Sequence, residues 1–357
     1  MLQYFKYRLP FKQTFTVFGN EIEYREGIIL VYREGKITAY GEAAPLPGFS
    51  IETLEQVETV LKVNHAVLQQ GLQNNTAAQI VDILNKLHNF PSLSFGLDTL
   101  MHDFAAKKEQ KTLAEYLFLD GINPLHSNAI LPFQSIKNTL EKAEDFANQG
   151  FETFKVKVGE NFSREAEVLR LLRKQYPHIK IRIDANQAWQ VEEAISSLRS
   201  IESLQIEYCE QPVSGKNFKG LRKVKKSTTI PIAADESIRN KNDVIPLLKA
   251  EAIDMLILKP SLFGTFKNLF VTKSMADSHN IETVFTTSLE STVARAAIAV
   301  LASGLGSPEF AQGLGTGNLF KYDVGQNNWL NKPVIQLPKT PGLGISVDLD
   351  SLEEIKE

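Results

Sequence analysis

The sequence predicts an α/β protein that combines an N-terminal α+β domain with a closed (β/α) barrel. The barrel prediction depends on short apolar runs that alternate with longer helical patterns from residue 126 onward. Runs that are apolar almost throughout are typical of parallel strands whose sheet is covered by helices. Eight such runs, most of them followed by a helix-sized segment, indicate a closed barrel rather than an open sheet. The predicted strands are residues 128–133, 153–158, 180–184, 205–210, 230–235, 254–258, 282–285 and 310–313.

The first third of the chain has a different pattern. Residues 27–32 and 36–40 alternate between apolar and polar side chains, which is typical of antiparallel strands. Residues 41–50, GEAAPLPGFS, contain two prolines and two glycines and therefore predict a shaped loop. Helical patterns then extend to residue 115, with a break at residues 89–94. The predicted division is an α+β domain at 1–115, a barrel at 116–321 and a C-terminal segment at 322–357 that is expected to return to the first domain.

Composition excludes several kinds of partner. The 357 residues carry a net charge of −3, which gives no electrostatic reason to expect nucleic acid or an anionic membrane as a partner. The first ten residues lack the apolar run of a signal peptide, and no apolar stretch approaches the roughly 20 residues of a membrane span. Cys209 is the single cysteine, so a reduced, cytoplasmic setting is expected. The oligomeric state stays open, and a homo-oligomer is possible.

Polar residues stand at the carboxyl ends of the predicted strands. The intervals from Asp184 to Glu210, to Asp235 and to Lys259 are 26, 25 and 24 residues. One βα unit of a barrel has roughly this length, since about 250 residues are shared among eight units. The regular spacing therefore predicts that all four side chains lie at one end of the barrel, the end where barrel enzymes place their active sites.

The three carboxylates predict a metal site. Mg²⁺ prefers oxygen ligands and keeps positions for water or substrate oxygens, so Asp184, Glu210 and Asp235 are the predicted ligands, with Mn²⁺ a possible substitute. Without a cation, converging carboxylates would repel each other and at least one should stay protonated. Each carboxylate alone is more often a cap or turn residue, but that explanation does not account for the matched spacing of all three.

Three lysines accompany these carboxylates. Lys155 and Lys157 are two positions apart, so both point to the same side of a strand, and Lys259 comes from a strand four further on. A lysine beside Mg²⁺ and another cation is expected to have a lowered pKa and to act as a base near neutral pH. The alternative is that these lysines face solvent at strand ends, and only the combination with the carboxylates favours catalysis.

Two other features of the sequence give weaker indications of function. The segment GLGTGNLF at residues 313–320 resembles an anion-binding glycine loop, and its position after the eighth strand suits a barrel's anion site. It lacks the lysine of a phosphate-binding P-loop, so a simple turn is the more common explanation. Cys209 precedes a predicted ligand and should point away from the site, which favours a packing role.

Together these motifs resemble the enolase superfamily, specifically its muconate lactonizing enzyme-like subgroup. The resemblance implies a (β/α)₇β TIM-like barrel with an α+β capping domain. It also implies a catalytic K-x-K at Lys155 and Lys157, a lysine at Lys259, and Mg²⁺ bound by carboxylates of three successive strands. These barrel motifs are specific for the subgroup but not for one reaction.

The loops are similar to those of o-succinylbenzoate synthases of menaquinone biosynthesis. The similar strings are GEAAPLPGFS, FGLDTL at residues 95–100 and GLGTG. This implies a Mg²⁺-dependent lyase that dehydrates 2-succinyl-6-hydroxy-2,4-cyclohexadiene-1-carboxylate, with Lys157 as the base, Lys259 stabilising the anion and Lys155 tuning Lys157. Ala294 departs from the glycine that many relatives have. The residues expected to bind this small carboxylate substrate are Pro47, Gly48, Phe49, Arg182, Ser288 and Gly315.

Two other functions remain open. An N-acylamino acid racemase or a dipeptide epimerase would use Lys157 and Lys259 as opposed acid/bases with the same metal. The dipeptide epimerases usually carry an Asp-x-Asp near the end of strand eight, which residues 313–320 lack. A non-enzymatic binding protein on the same scaffold is disfavoured because every expected catalytic position is filled.

Overall fold

The structure is a computed structural model that describes residues 1–17, 20–73, 89–326 and 328–356. Its N-terminal part is an antiparallel sheet of β1 (Leu2–Val17), β2 (Asn20–Glu34) and β3 (Ile37–Ala43). Gly35 turns the chain between β2 and β3 with φ of 59°, a left-handed conformation that glycine adopts without strain. The strand predicted at residues 27–32 lies within β2, and the one predicted at 36–40 overlaps β3, which begins one residue later at Ile37.

Two helices, α1 (Leu54–Gln73) and α2 (Pro91–Lys108), accompany this sheet and share an apolar core with it. The break predicted at residues 89–94 ends earlier than expected, because Pro91 starts α2. The helical pattern predicted for residues 74–88 lies outside the described residues. Gly41 of β3 and Gly96 of α2 lie so close that a Cβ on Gly41 would be 2.0 Å from the Gly96 carbonyl oxygen. The glycine of the FGLDTL motif therefore permits direct contact between sheet and helix.

The barrel follows, and its strands are parallel. In the described part of the chain seven strands pair in sequence order, and they are joined by helices that cover their outer face. The strands are β5 (Ala129–Leu131), β6 (Thr153–Lys157), β7 (Lys180–Asp184), β8 (Ile206–Glu210), β9 (Ile232–Ala234), β10 (Met255–Leu258) and β11 (Glu282–Phe285), after a short β4 (Leu125–His126). The helices are α3 (Leu113–Leu117), α4 (Ile136–Asn148), α5 (Phe162–Gln175), α6 (Val191–Arg199), α7 (Phe218–Lys225), α8 (Lys241–Lys249), α9 (Pro260–Phe263), α10 (Phe266–Asp277) and α11 (Thr292–Leu305).

The eighth predicted strand, residues 310–313, forms bridges rather than a regular strand. Gln312 pairs with Ser127 on one side, and Gly313 pairs with Thr286 on the other, both in parallel orientation. The backbone amide of Asn128 donates to the Gln312 carbonyl at 3.0 Å, and that of Gly313 donates to the Phe285 carbonyl at 2.7 Å. These bonds join the two edges of the sheet, so the prediction of a closed barrel with a capping domain is confirmed, although its last segment is short.

The C-terminal segment contacts both parts of the molecule. β13 (Val334–Ile335) pairs with β4 at the base of the barrel, and β15 (Glu353–Glu354) pairs antiparallel with β1. Between them, β12 (Gly325–Gln326) pairs with β14 (Ser346–Val347). The division of the chain at residues 115 and 321 stays a prediction. No helix in the described ranges is both long and apolar enough to cross a bilayer.

A buried carboxylate joins the capping sheet to the barrel. Glu42 at the end of β3 is 1% exposed and accepts hydrogen bonds from the Tyr7 hydroxyl at 2.6 Å and from the Ser291 and Ala294 amides at 2.9 Å each. The Ser291 hydroxyl donates to the same carboxylate. These amides belong to the first turn of α11, which otherwise lacks partners for them, so Glu42 caps a helix about 250 residues away in the sequence.

Removing this carboxylate should destabilise the whole molecule. Glu42→Ala leaves two buried amides and two hydroxyls without their acceptor, and each buried unsatisfied group costs about 1–3 kcal/mol. We therefore expect urea denaturation to show a loss of about 3 kcal/mol or more in the free energy of unfolding. Glu26→Ala on the neighbouring strand is the control, because its ion pair with Arg8 is exposed and should contribute about 1 kcal/mol or less. Equal losses in the two variants would contradict this assignment.

Candidate active site

The predicted site residues meet at the carboxyl-terminal end of the barrel strands. In the register of the sheet, Lys157 on β6 lies beside Asp184 on β7, and Asp184 lies beside Glu210 on β8. Glu210 pairs with Ala233, which places Asp235 just beyond the end of β9. Lys259 directly follows β10. The nearly equal intervals between these residues in the sequence thus place them at the same level of the barrel.

Each lysine contacts one or two of the carboxylates. The Lys155 ammonium lies 2.7 Å from Glu210 Oε1 and 2.9 Å from Asp184 Oδ2, so it bridges two strands. The Lys157 ammonium lies 2.7 Å from Asp184 Oδ2, and the Lys259 ammonium pairs with Asp235 Oδ1. Lys157 and Lys259 therefore stand at the two ends of the row of carboxylates, with Lys155 between them.

Burial and charge shift the ionisation of these groups. Burial raises the pKa of Glu210 to about 8, and the neighbouring Asp184 charge adds to the effect. Burial also opposes ionisation of Asp184, but the charges of Lys155 and Lys157 outweigh it and hold the pKa of Asp184 below its usual range. Of these two carboxyl groups, Glu210 is therefore the one whose charged form is disfavoured by burial and by repulsion from its neighbour.

Lys155 and Lys259 differ from the expectation of a lowered pKa. Burial lowers the pKa of Lys155, but the charges of Asp184 and Glu210 outweigh it, so the pKa of Lys155 is raised. The pKa of Lys259 is raised for the same reason, with Asp235 as the main favourable charge. The expectation assumed a cation among the carboxylates. Without that cation, the neighbouring carboxylates stabilise the protonated form of these two lysines.

The carboxylates of the site are held by lysines rather than grouped around a cation position. Among the described residues, no three His, Cys, Asp or Glu side chains are arranged as a metal site. Lys155 contacts Glu210, and Lys259 contacts Asp235. One oxygen of Glu210 and one of Glu236 are nevertheless buried without a hydrogen-bond partner in the described part of the chain. A buried carboxyl oxygen without a hydrogen-bond partner suits a hard cation, so the residues fit Mg²⁺ if the lysines move away from the carboxylates. The ligand assignment stays a prediction.

Sequence reasoning noted Asn186 at a strand end but assigned no role to the amides behind the carboxylates. Asn186 contacts the Lys157 ammonium through Oδ1 at 2.5 Å and donates to Glu236 at 2.9 Å. Gln211 Oε1 accepts from the Asp235 and Ser237 amides at 3.0 and 3.1 Å. The available signal was an amide residue shortly after each of the first two carboxylates, in the strings DANQ and CEQ.

The capping domain reaches the site through the loop at residues 44–50. Arg25 donates to the Ala44 and Pro45 carbonyls at 2.5 and 2.7 Å and so fixes the start of the loop. Phe49 is 2% exposed, and the centre of its ring lies 4.8 Å from the Lys259 ammonium and 5.4 Å from the Arg239 guanidinium. Of the predicted loop residues, Phe49 therefore lies against a predicted catalytic lysine.

The other two loop residues are more peripheral. Pro47 and Gly48 are exposed at the tip of the loop, and Gly48 turns it with φ of 79°. A φ in this range favours glycine, so Gly48 gives the loop its shape. A role of Pro47 and Gly48 in substrate binding stays a prediction.

Arg182 lies deeper than the carboxylate row. It is fully buried, stands opposite Lys155 in the register of the sheet, and is two residue pairs below Asp184. Its guanidinium donates to the Ala311 carbonyl at 2.7 Å, pairs with Glu207 and lies 4.8 Å from the centre of the Tyr208 ring. These contacts favour a role in filling the barrel interior. A contact of Arg182 with a substrate stays a prediction.

The remaining predicted residues, Ser288 and Gly315, follow β11 and the segment at residues 310–313. The Ser288 amide donates to Glu290 at 2.5 Å, while the Ser288 hydroxyl is buried without a hydrogen-bond partner among the described residues. Gly315 begins a 3₁₀ turn, and a Cβ there would lie 3.2 Å from the Asn128 carbonyl. The predicted glycine loop is therefore a tight turn packed on the first barrel strand.

Two family models match the chain. Residues 138–351 match the model described as enolase C-terminal domain-like, and residues 1–103 match the one described as MenC, N-terminal domain. Among curated relatives, the chain is 30% identical to an L-Ala-D/L-Glu epimerase of Thermotoga maritima over 72% of this chain and 74% of that protein. It is 25% identical to an N-succinyl-L-Arg/Lys racemase of Bacillus cereus over 98% and 95% of the two chains.

Solved structures agree on the fold. The Bacillus cereus N-succinyl Arg/Lys racemase superimposes with a TM-score of 0.88 at 23% identity, covering 99% of both chains. A muconate lactonizing enzyme of Pseudomonas fluorescens gives 0.88 at 21% identity, covering 98% of this chain and 96% of that one. The strand-end carboxylates, the barrel with its capping domain and the two family models lead to one conclusion: the chain belongs to the enolase superfamily.

Proposed function

We propose that this protein is a Mg²⁺-dependent racemase of N-acylated amino acids, which moves the proton on the carbon next to a carboxylate. The observation that carries the proposal is the placement of Lys157 and Lys259 against carboxylates at opposite ends of one row. Two lysines on opposite sides of a substrate carbon can act in turn as base and acid, so that either enantiomer is accepted. The curated relatives, which include epimerases and a racemase, support this reaction more than a dehydration.

The metal site is part of the same proposal. Asp184, Glu210 and Asp235 would hold the ion, which supplies positive charge to the substrate carboxylate and so makes the adjacent carbon more acidic. One oxygen of Glu210 is buried without a hydrogen-bond partner among the described residues, and a cation would supply the missing contact. Lys155 would then be displaced from Glu210 and become available to contact the substrate carboxylate.

The substrate class follows from charges at the mouth of the site. Residues 313–320 contain no acidic residue, so nothing in that loop would pair with the free ammonium of a dipeptide. Arg239 and Lys259 instead flank Phe49 at the seam between the loop of residues 44–50 and the barrel. An acyl group on nitrogen removes the ammonium charge, and an anionic acyl group such as succinyl would suit the Arg239 guanidinium. We therefore favour N-succinylamino acids over dipeptides.

A second candidate is supported by one specific observation. The match of residues 1–103 to the MenC N-terminal domain favours the o-succinylbenzoate synthase reaction, whose substrate also carries a succinyl group. Lys157 would remove the proton beside the ring carboxylate, and departure of hydroxide would make the ring aromatic. The same lysines and carboxylates serve both reactions, so the difference lies in the substrate and not in the catalytic groups.

One pair of assays tests the two candidates. The purified protein is incubated with Mg²⁺ or with chelator and given N-succinylamino acids, dipeptides or the cyclohexadiene substrate. Chiral chromatography follows racemisation, and loss of the diene absorbance follows dehydration. Metal-dependent racemisation of N-succinylamino acids supports the proposal. Dehydration with little racemisation would contradict the racemase proposal and support the synthase reaction instead. Metal-dependent activity on dipeptides alone would contradict the proposed substrate class.

The ring of Phe49 should matter to this reaction. Phe49→Leu keeps an apolar side chain in the loop but removes the aromatic face beside Lys259. A desolvated cation–π contact is worth about 1–2 kcal/mol, so turnover should fall about 5–30-fold. Steady-state kinetics on the accepted substrate measure the effect. Phe146→Leu, which removes a ring packed on Phe151 away from the site, is the control and should leave turnover unchanged.

A further inference from the structure

Glu290 is a buried carboxylate that lies between two loops of the active site. Glu290 is 1% exposed, and among the described residues no lysine, arginine or histidine pairs with it. Its Oε1 accepts from the Ser261 hydroxyl at 2.7 Å, and its Oε2 accepts from the Ser288 amide at 2.5 Å. A buried carboxylate without a paired cation is costly, and it is kept where its hydrogen bonds hold a defined geometry.

The Ser261 bond leads directly to Lys259. Ser261 lies in α9, a single turn that starts at Pro260, and the Leu262 amide donates to the Lys259 carbonyl at 2.9 Å. Lys259 is therefore the residue at which β10 changes into this turn. Fixing Ser261 fixes the direction in which the Lys259 side chain leaves the backbone.

Lys157 has no comparable attachment to Glu290. It is the last residue of β6 and is held by its register with Asp184 and by its contact with Asn186. Neither of these elements contacts the Glu290 carboxylate in the described part of the chain. Loss of the Glu290–Ser261 bond should consequently disturb one lysine and spare the other.

We propose that Glu290 is a positioning residue that holds Lys259 at its face of the substrate through Ser261, while the same carboxylate fixes the Ser288 loop. The proposal depends on the two-lysine racemase function given above. It predicts an asymmetric defect: proton removal by Lys259 is weakened, whereas proton removal by Lys157 on the opposite face continues.

Ser261→Ala tests this with the smallest change, because it removes the hydroxyl and leaves both lysines and the Glu290–Ser288 bond in place. Each enantiomer of an N-succinylamino acid is incubated in D₂O with Mg²⁺. The lysine takes the α-proton, the C–H electron pair stays on the substrate, and a deuteron returns to the same carbon. The enantiomer that depends on Lys259 is identified as the one whose exchange is lost in Lys259→Ala.

We expect Ser261→Ala to slow exchange of that enantiomer by about 10-fold or more, since a small misplacement of a catalytic group can cost up to 10²-fold. Exchange of the other enantiomer should change by less than about 2-fold. Ser303→Ala is the matched control, because Ser303 is a buried serine of α11 whose hydroxyl donates to the Val300 carbonyl within its own helix. It should leave both exchange rates unchanged. Equal slowing of both enantiomers in Ser261→Ala, or no slowing of either, would overturn the proposal.

A second readout needs no substrate. Trace labelling with acetic anhydride, followed by mass spectrometry, compares the reactivity of Lys259 with that of Lys157 in the same sample. We expect the ratio of Lys259 labelling to Lys157 labelling to rise in Ser261→Ala and in Glu290→Gln. The same ratio should stay constant in Ser303→Ala. An unchanged ratio in both variants would overturn the positioning role. If the unmodified protein exchanged neither enantiomer, the racemase function would be wrong, and the labelling ratio would still decide the role of Glu290.

Discussion

Replacing Lys157 with alanine is expected to lower turnover by about 10²–10⁴-fold, the usual contribution of a general base. Lys157 ends β6 with its ammonium 2.7 Å from Asp184, so its loss removes the group that would take the α-proton on one face. The side chain is partly exposed and does not fill the core, so the fold should persist. Steady-state kinetics and circular dichroism on the same preparation measure the two effects.

The control for this variant is Lys180→Ala. Lys180 starts β7 at the opposite end of the barrel, where its ammonium pairs with Glu207 and bonds to the Glu309 carbonyl. Turnover should be unaffected there. Retention of more than about a tenth of the activity in Lys157→Ala would argue that another group is the base, since this is well above what loss of a general base leaves.

Glu210→Gln should abolish stabilisation by Mg²⁺. A cation that binds the folded protein alone adds about 2.7 kcal/mol of stability at a concentration 100 times its dissociation constant. The pKa of Glu210 is raised to about 8 by burial and by the Asp184 charge, so a cation should relieve this position most. Melting temperatures are measured with chelator and with Mg²⁺. We expect an increase in the unmodified protein and none in the variant, whose turnover should also be lost.

The metal-free variant provides a further check. An amide in place of a buried carboxylate removes repulsion from Asp184, so Glu210→Gln without Mg²⁺ should be at least as stable as the unmodified protein. Glu282→Gln, an exposed acid at the start of β11, is the control and should leave the Mg²⁺ effect intact. A Mg²⁺-dependent increase that persisted in Glu210→Gln would contradict its assignment as a ligand.

The position of the site could be predicted because it depends on local rules. Strands of a parallel barrel have nearly equal lengths and helical connections, so residues 24–26 positions apart reach the same height, and the predicted strands at 180–184 and 282–285 match the structure in full. The K-x-K pair followed directly from strand alternation. The eighth strand was overestimated, because residues 310–313 pair through single bridges.

The remaining features depend on contacts that no local pattern encodes. Glu42 and Ser291 are 249 residues apart, and nothing around Glu42 in the sequence indicates that it will cap a barrel helix. The raised pKa of Lys259 likewise depends on which carboxylates surround it, not on its neighbours in the sequence. The deep burial of Arg182 likewise depends on residues distant in the sequence, since its guanidinium donates to the Ala311 carbonyl and pairs with Glu207.

The pairing of β1 with β15 has a consequence for biosynthesis. Phe5 and Glu354 are partners in the sheet, so the first strand leaves the ribosome roughly 350 residues before its neighbour on that edge. Protein synthesis adds about 5–20 residues per second, so the backbone groups on that edge of β1 stay unpaired for about 20–70 s. An open strand edge can pair with other chains, so this edge of the nascent N-terminal sheet is exposed to such pairing until β15 is made.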